Sequence, residues 1–112
     1  MPVIARIIQV TTKPGHLQEF VNTMAERNFP ILMQQPGFVD ALLFASDTKR
    51  DQLIGIAIWK SKEDAEKYAT HQGRQVLEAM RPLLQEMPTI RTFDLAASTA
   101  YNIDIGRAVS SI

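Results

Sequence analysis

The sequence contains no cysteine, carries no net charge and has no long apolar run. Without cysteine the chain has neither a disulfide nor a thiolate, which fits a reducing compartment such as the cytoplasm. Twelve basic residues balance twelve acidic ones, and this balance argues against a nucleic-acid partner or an anionic membrane surface. No stretch approaches the roughly 20 apolar residues of a membrane span, and we expect no signal peptide at the N-terminus.

The patterns typical of metal and phosphate sites are missing as well. The two histidines, His16 and His71, lie far apart in the sequence, and the paired His or Cys spacing of a zinc site does not occur. The five glycines are isolated, so the sequence has no glycine-rich loop for a nucleotide phosphate. We therefore expect neither a metal ion nor a bound cofactor.

The 112 residues, 46% of them hydrophobic and 21% charged, are typical of one soluble globular domain. We assign residues 1–97 to this domain and residues 98–112 to a C-terminal tail. One prediction for the tail is that it crosses to a partner subunit. The alternative is that it folds back over its own sheet.

Hydrophobic periodicity predicts four strands and two helical segments in the order β-α-β-β-α-β. The first helix begins near His16, has a polar residue at Asn28 on its apolar stripe, and should break or kink at Pro30. The second begins with a capping box of Ser61 and Asp64 and is expected to be interrupted at Gly73. The predicted strands are Val3–Thr11, Phe38–Ser46, Leu53–Trp59 and Thr89–Ala96.

This order is that of a ferredoxin-like α+β fold, with two helices on one face of a four-stranded antiparallel sheet. The third strand places Ile54, Ile56 and Ile58 on one face, and the other face is also uncharged. Two helices cover only one face, so the second apolar face needs another partner. The simplest partner is a second copy of the chain, with the two sheets packed together in a C2 homodimer.

Three short motifs resemble the antibiotic-biosynthesis monooxygenase-like family over residues 3–95. They are Pro36-Gly37-Phe38, Ile58-Trp59-Lys60-Ser61, and Glu63-Asp64-Ala65 followed by Tyr68. The resemblance implies a dimeric α+β barrel with a small pocket between helices and sheet in each protomer. Members of this family oxidise aromatic polyketides with molecular oxygen and no cofactor, degrade haem, or process small carbonyl compounds, and others have no assigned activity.

The haem-degrading branch of that family does not fit this sequence. Its Asn, Trp and His positions align with Ile8, Tyr68 and Glu78, and none of these residues matches. A carboxylate at the position of Glu78 is a poor axial ligand for haem iron. Other members have a histidine early in the second helix, where this chain has Ala69 and, two residues later, His71.

Four residues are candidates for a functional site. His71 is a candidate general base, and Tyr68 a candidate hydrogen-bonding catalytic group. Trp59 and Arg6 are candidates for binding the substrate, by stacking and by charge respectively. Each also has a structural explanation: a solvated helix residue for His71, core aromatics for Tyr68 and Trp59, and an ion pair with an acid such as Asp94 for Arg6.

These observations lead to two functional hypotheses of different classes. The first is a cofactor-independent monooxygenase acting on a small aromatic or carbonyl compound. The second is a non-catalytic dimeric module that binds a small apolar ligand or another protein. An isomerase or hydrolase acting on a small signalling molecule through the same pocket is a third possibility.

Overall fold

The computed structural model describes residues 3–99, which form a four-stranded antiparallel sheet covered by helices. The strands are β1 (Ile4–Thr11), β2 (Phe38–Ala45), β3 (Gln52–Trp59) and β4 (Thr89–Asp94). Their order across the sheet is β2-β3-β1-β4, so the first and third strands lie in the centre. This is the ferredoxin-like α+β arrangement, and the prediction of fold class is confirmed.

Two interrupted helical segments connect the strands. The first consists of α1 (Leu17–Thr23), a π-helical turn (Met24–Asn28) and α2 (Phe29–Met33). The second consists of α3 (Lys62–Thr70), α4 (Gln72–Met80) and a 3₁₀ turn (Arg81–Leu83). No helix within residues 3–99 is both long enough and apolar enough to traverse a membrane.

The interruptions of the helices differ in detail from the prediction. Pro30 does not end the first segment, because a π-helical turn precedes it and Pro30 lies in the first turn of α2, where a missing N–H is tolerated. The break in the second segment is at His71 (φ −117°, ψ −98°) and not at Gly73. Gly73 lies inside α4, and the Tyr68 ring packs against it where a Cβ atom would otherwise be.

The helix-covered face of the sheet holds the core, which consists of two separate groups of buried residues. The first cluster is Val10, Phe20, Leu53, Met80 and Leu84. The second cluster is Ile4, Leu32, Trp59 and Ala65. The first lies at the end of the sheet where β1 finishes, and the second lies where β1 begins.

The opposite face of the sheet is largely apolar, with Gln9 and Arg91 as polar members, and it is uncovered within residues 3–99. Leu42, Phe44, Ile54 and Phe93 are large hydrophobic residues that remain exposed there, with 39%, 52%, 43% and 42% of their surface accessible. Ile7 and Ile56 are paired in register between them. The prediction that both faces are largely apolar is therefore confirmed. The tail beyond residue 99 lies outside the described residues, so its position stays a prediction.

Candidate functional site

A cleft of about 220 Å³ lies between the end of the first helical segment and the second. One wall is the turn that precedes β2, and the other is a single side of α3 that continues past the break at His71. The lining residues are Gln35, Pro36, Asp64, Lys67, Tyr68, His71 and Gln72. The cleft thus combines an aromatic ring with carboxylate, ammonium, amide and imidazole groups.

The capping box fixes the first turn of α3 and therefore the start of this wall. The backbone N–H of Asp64 donates to Ser61 Oγ at 3.1 Å, and that hydroxyl donates to Asp64 Oδ2 at 2.9 Å. The Asp64 carboxylate lies against Gly37, where a Cβ atom would come 2.2 Å from Oδ2. The Pro-Gly turn and the helix cap thus interlock, and both belong to the motifs that the sequence analysis singled out.

Tyr68 connects the cleft to the second cluster. Its ring lies 5.5 Å from that of Trp59, which in turn makes an edge contact with Phe38 at 5.6 Å. Gly73 allows the ring to lie against the backbone of α4, since a Cβ there would be 2.8 Å from Tyr68 Cε2. Burial raises the pKa of Tyr68 above the ordinary tyrosine value. The hydroxyl is therefore protonated at neutral pH and can donate a hydrogen bond.

The raised pKa of Tyr68 predicts a loss of stability in alkali. Above about pH 10 the unfolded chain releases the Tyr68 proton while the folded chain keeps it. The unfolded state then binds fewer protons, so the free energy of unfolding falls as pH rises towards the folded pKa. We expect urea unfolding of Tyr68→Phe to show a smaller alkaline loss than the wild type. Equal slopes for the two proteins would contradict this.

His71 is held with a defined tautomer at the break between α3 and α4. Its Nδ1 lies 2.8 Å from the carbonyl oxygen of Lys67, which can only accept. The Thr70 hydroxyl, 3.1 Å from the same nitrogen, donates its own proton to the Glu66 carbonyl at 2.9 Å. Nδ1 therefore carries the proton in the neutral ring, and Nε2 keeps a free lone pair.

The structure brings two of the four candidate residues into the cleft. Tyr68 and His71 both line it, whereas Trp59 and Arg6 do not. Trp59 is only 1% exposed, so it supports the Tyr68 ring and has no free face for stacking on a substrate. Arg6 lies on the helix-facing side of β1, between Ala57 and Thr92 on the neighbouring strands.

Sequence reasoning missed the polar side chains that complete the cleft. Gln35 follows α2, and its amide donates to the Ile31 carbonyl at 3.0 Å. Lys67 and Gln72 come from the second helical segment. The spacing of Asp64, Lys67, Tyr68 and His71 at three and four residues was a signal for one helix side. Within residues 3–99, no three His, Asp or Glu side chains are grouped so that they could hold a metal ion.

A comparison with protein-family models shows to which family this chain belongs. The model described as "Antibiotic biosynthesis monooxygenase" matches residues 3–81. The chain belongs to this family. No curated protein sequence matches the chain significantly. The matched range includes the whole cleft and ends at the 3₁₀ turn, so the family relationship covers the candidate site.

Several solved structures share the fold of this chain. SnoaB, a cofactor-independent oxygenase from Streptomyces nogalater, is 21% identical with a TM-score of 0.75, covering 88% of this chain and 98% of its own. A monooxygenase from Streptomyces coelicolor, solved with nanaomycin D, is 14% identical with a TM-score of 0.75, covering 89% and 93%. A protein of unknown function from Nitrosomonas europaea is 17% identical with a TM-score of 0.77, covering 90% and 96%.

Proposed function

We propose that the protein is a cofactor-independent monooxygenase that acts on a small phenolic or carbonyl compound in the cleft of Tyr68 and His71. The observation that carries the proposal is the tautomer of His71, whose Nε2 lone pair belongs to a residue lining the cleft. The family relationship supports the same chemistry, since one relative is a cofactor-independent oxygenase. A cytoplasmic location is proposed with it, in line with the absence of cysteine.

The reaction needs only a substrate that becomes an electron-rich anion. For a phenol with a free para position, molecular oxygen adds one oxygen atom to the ring carbon and the second oxygen leaves as water. The two hydrogen atoms of that water come from the phenolic O–H and the ring C–H. Oxygen takes four electrons and the substrate supplies all of them as it becomes a quinone. The protein has to remove a proton and to hold the resulting anion.

His71 is assigned the role of general base. In the neutral ring, Nε2 accepts the phenolic proton, and the imidazolium keeps its Nδ1 hydrogen bond to the Lys67 carbonyl. That carbonyl stabilises the charged ring, because a hydrogen bond donated by an ionised group is stronger than one donated by a neutral group. The proton then returns to the reduced oxygen as water leaves.

Tyr68 is assigned the role of hydrogen-bond donor to the substrate anion. Its pKa is raised by burial, so the hydroxyl keeps its proton while the substrate loses one. Trp59 and Gly73 act as positioning residues, since they fix the ring on two sides. The cleft volume of about 220 Å³ favours a substrate of one or two rings.

A homodimer completes this proposal. The uncovered sheet face carries Phe44, Ile54 and Phe93, each exposed by more than two fifths of its surface. A contiguous apolar surface of this kind is typical of an interface between subunits. A second copy would bury the same surface on both chains through a two-fold axis. The cleft lies on the helix side, so each protomer would keep its own site.

Oxygen uptake with 1-naphthol tests the enzymatic function. The purified chain should consume one mole of oxygen per mole of 1,4-naphthoquinone formed. We expect His71→Gln to lower kcat by about 100-fold or more, as loss of a general base does. Tyr68→Phe should lower it by about tenfold, through loss of one hydrogen bond to an anion.

The matched control is His16→Gln. His16 is the other histidine of the chain, and it lies at the start of α1 with its Nδ1 3.2 Å from Glu19 Oε1. Its rate should equal that of the wild type. Binding of 1-naphthol without oxygen uptake would instead favour the non-catalytic ligand-binding module. The small cleft favours a small ligand in either case.

A further inference from the structure

The ionisable side chains that line the cleft differ in how strongly they are already engaged. The Asp64 carboxylate accepts a hydrogen bond from Ser61 Oγ at 2.9 Å and packs against Gly37. The His71 ring is held through Nδ1 by the Lys67 carbonyl at 2.8 Å. Among the described residues that line the cleft, Lys67 is the one with a permanent positive charge. Its ammonium is therefore the group of the lining that would attract an anionic ligand.

The Lys67 ammonium has only a weak partner within its own helix. Its Nζ lies 3.5 Å from Glu63 Oε1, one turn earlier on α3, and the two side chains are 68% and 79% exposed. Solvent screens such a pair, so it contributes little to stability. An ammonium group has three N–H donors, which one carboxylate oxygen at this distance does not satisfy. An oxyanion in the cleft could thus bind Lys67 by displacing only a weak ion pair.

Lys67 and His71 are placed so that one ligand can reach both. Lys67 lies in the last turn of α3 and His71 ends that helix four residues later. Residues spaced by four share one side of a helix, with Cβ atoms about 5–6 Å apart, and both side chains line the cleft. A ligand whose phenolic oxygen meets His71 Nε2 would therefore present a second group to Lys67 about one helical turn away. The far ring of a naphthalene can carry a substituent at such a separation.

The uncharged part of the lining suits the body of such a ligand. Pro36 and the Tyr68 ring provide apolar surface on the two walls of the cleft. The Gln35 amide already donates to the Ile31 carbonyl at 3.0 Å, so its N–H groups are less available to a charged oxygen than those of Lys67. An acidic group on the ligand is thus expected at Lys67, with the rings between Pro36 and Tyr68.

We propose that Lys67 selects substrates that carry an acidic group, so that the substrate class is a hydroxylated aromatic acid with its carboxylate on the ring remote from the phenol. The ammonium pairs with the carboxylate while His71 Nε2 faces the phenolic proton. Lys67 is a specificity-determining residue, since it contacts a group remote from the carbon that is oxidised. The phenol chemistry rests on the proposed function, whereas the preference for an acid requires only that the compound binds in the cleft.

Binding of 5-hydroxy-2-naphthoate and of the neutral 5-hydroxy-2-naphthamide to the intact protein tests the proposal. The two compounds have the same rings and the same phenol and differ in charge. Calorimetry without oxygen should show the acid binding more tightly by roughly fivefold or more, as expected for one charge-assisted contact. High salt should reduce this preference. Lys67→Met should bring the affinity for the acid down to that for the amide, and Lys67→Arg, which keeps the charge, should retain the preference.

Glu63→Gln should have the opposite effect. It removes the partner that competes for the ammonium, so the acid should bind about twofold to fivefold more tightly. Glu66→Gln is its matched control, because Glu66 is an exposed acid of the same helix outside the cleft lining. Lys62→Met is the corresponding control for Lys67→Met, since Lys62 is exposed in the first turn of α3 and also lies outside the lining. Both controls should bind the two compounds as the wild type does.

Several results would overturn the role of Lys67. The wild type could bind neither compound or both equally, Lys67→Met could keep the preference for the acid, or Lys62→Met could lose as much of it as Lys67→Met. Should Lys67→Met fail to fold, an affinity for the acid that is unchanged in Glu63→Gln would overturn the assignment equally.

Oxygen uptake with the same two compounds separates this inference from the proposed function. If both are oxidised with equal KM and bind equally, the oxygenase stands and the role of Lys67 fails. If neither is oxidised but the acid binds preferentially through Lys67, the oxygenase fails and the selection of an aromatic acid stands. If both inferences hold, the acid should have the lower KM by about the factor seen in binding, with a similar kcat, because the carboxylate contact is the same before and during the reaction.

Discussion

Replacing Ile54 by glutamate is expected to convert the proposed homodimer into a monomer. Ile54 lies on the uncovered face, paired with Gln9 and Phe44, and is 43% exposed in the single chain. A carboxylate there is solvated in the monomer, so the fold should tolerate it. In the dimer it would be buried twice, at several kcal/mol for each ion. The dissociation constant should rise by roughly three orders of magnitude or more.

Light scattering at micromolar concentration measures this effect, and Met33→Glu provides the control. Met33 lies at the end of α2 and is 72% exposed, so the same kind of substitution is made away from the sheet. Met33→Glu should stay dimeric. A monomeric wild type, or an Ile54→Glu protein as dimeric as the wild type, would refute the sheet-to-sheet dimer.

The second large effect is expected from Gly37→Ala. Gly37 has a φ of +77°, in which an L-residue is strained by about 1–2 kcal/mol. The new Cβ would also lie 2.2 Å from Asp64 Oδ2 and 2.6 Å from its Cγ, so the first turn of α3 must shift. Overpacking of this kind adds about 1–3 kcal/mol. The free energy of unfolding should therefore fall by about 3 kcal/mol.

Gly15→Ala separates the two contributions. Gly15 has nearly the same backbone angle, with a φ of +83°, but nothing lies within 4 Å of its missing Cβ. It should lose only the strain, about 1–2 kcal/mol. Urea unfolding of both variants at one protein concentration gives the comparison, since a dimer's stability depends on concentration. Equal losses would show that the contact between Gly37 and Asp64 is not important for stability.

The strands and the start of α3 could be predicted because their signals are local. The short continuous apolar run around Ile56, rich in isoleucine, indicates a strand, and the hydroxyl of Ser61 caps a helix whatever packs against it. The uncovered face also followed from the sequence, since counting faces requires only the period of a strand. The β4 strand ends at Asp94, two residues before its predicted end.

The cleft and the burial of Asn28 could not be predicted in the same way, because neither follows from the local sequence pattern alone. Gly73 was interpreted as a break, but its position is set by the Tyr68 ring that packs on it. Asn28 looked like a weakness in an apolar stripe, and only the π-helical turn shows why it is buried. Arg6 was expected to pair with an acid, and the strand register instead places Ala57 and Thr92 beside it.

The division of the core has a consequence for how this protein tolerates change. Leu32 and Met80 belong to different clusters, so a cavity made at one need not strain the packing of the other. Core residues at the two ends of the molecule can therefore be replaced by larger or smaller side chains independently. Substitutions can therefore accumulate in one cluster, one at a time, while the packing of the other keeps the chain folded.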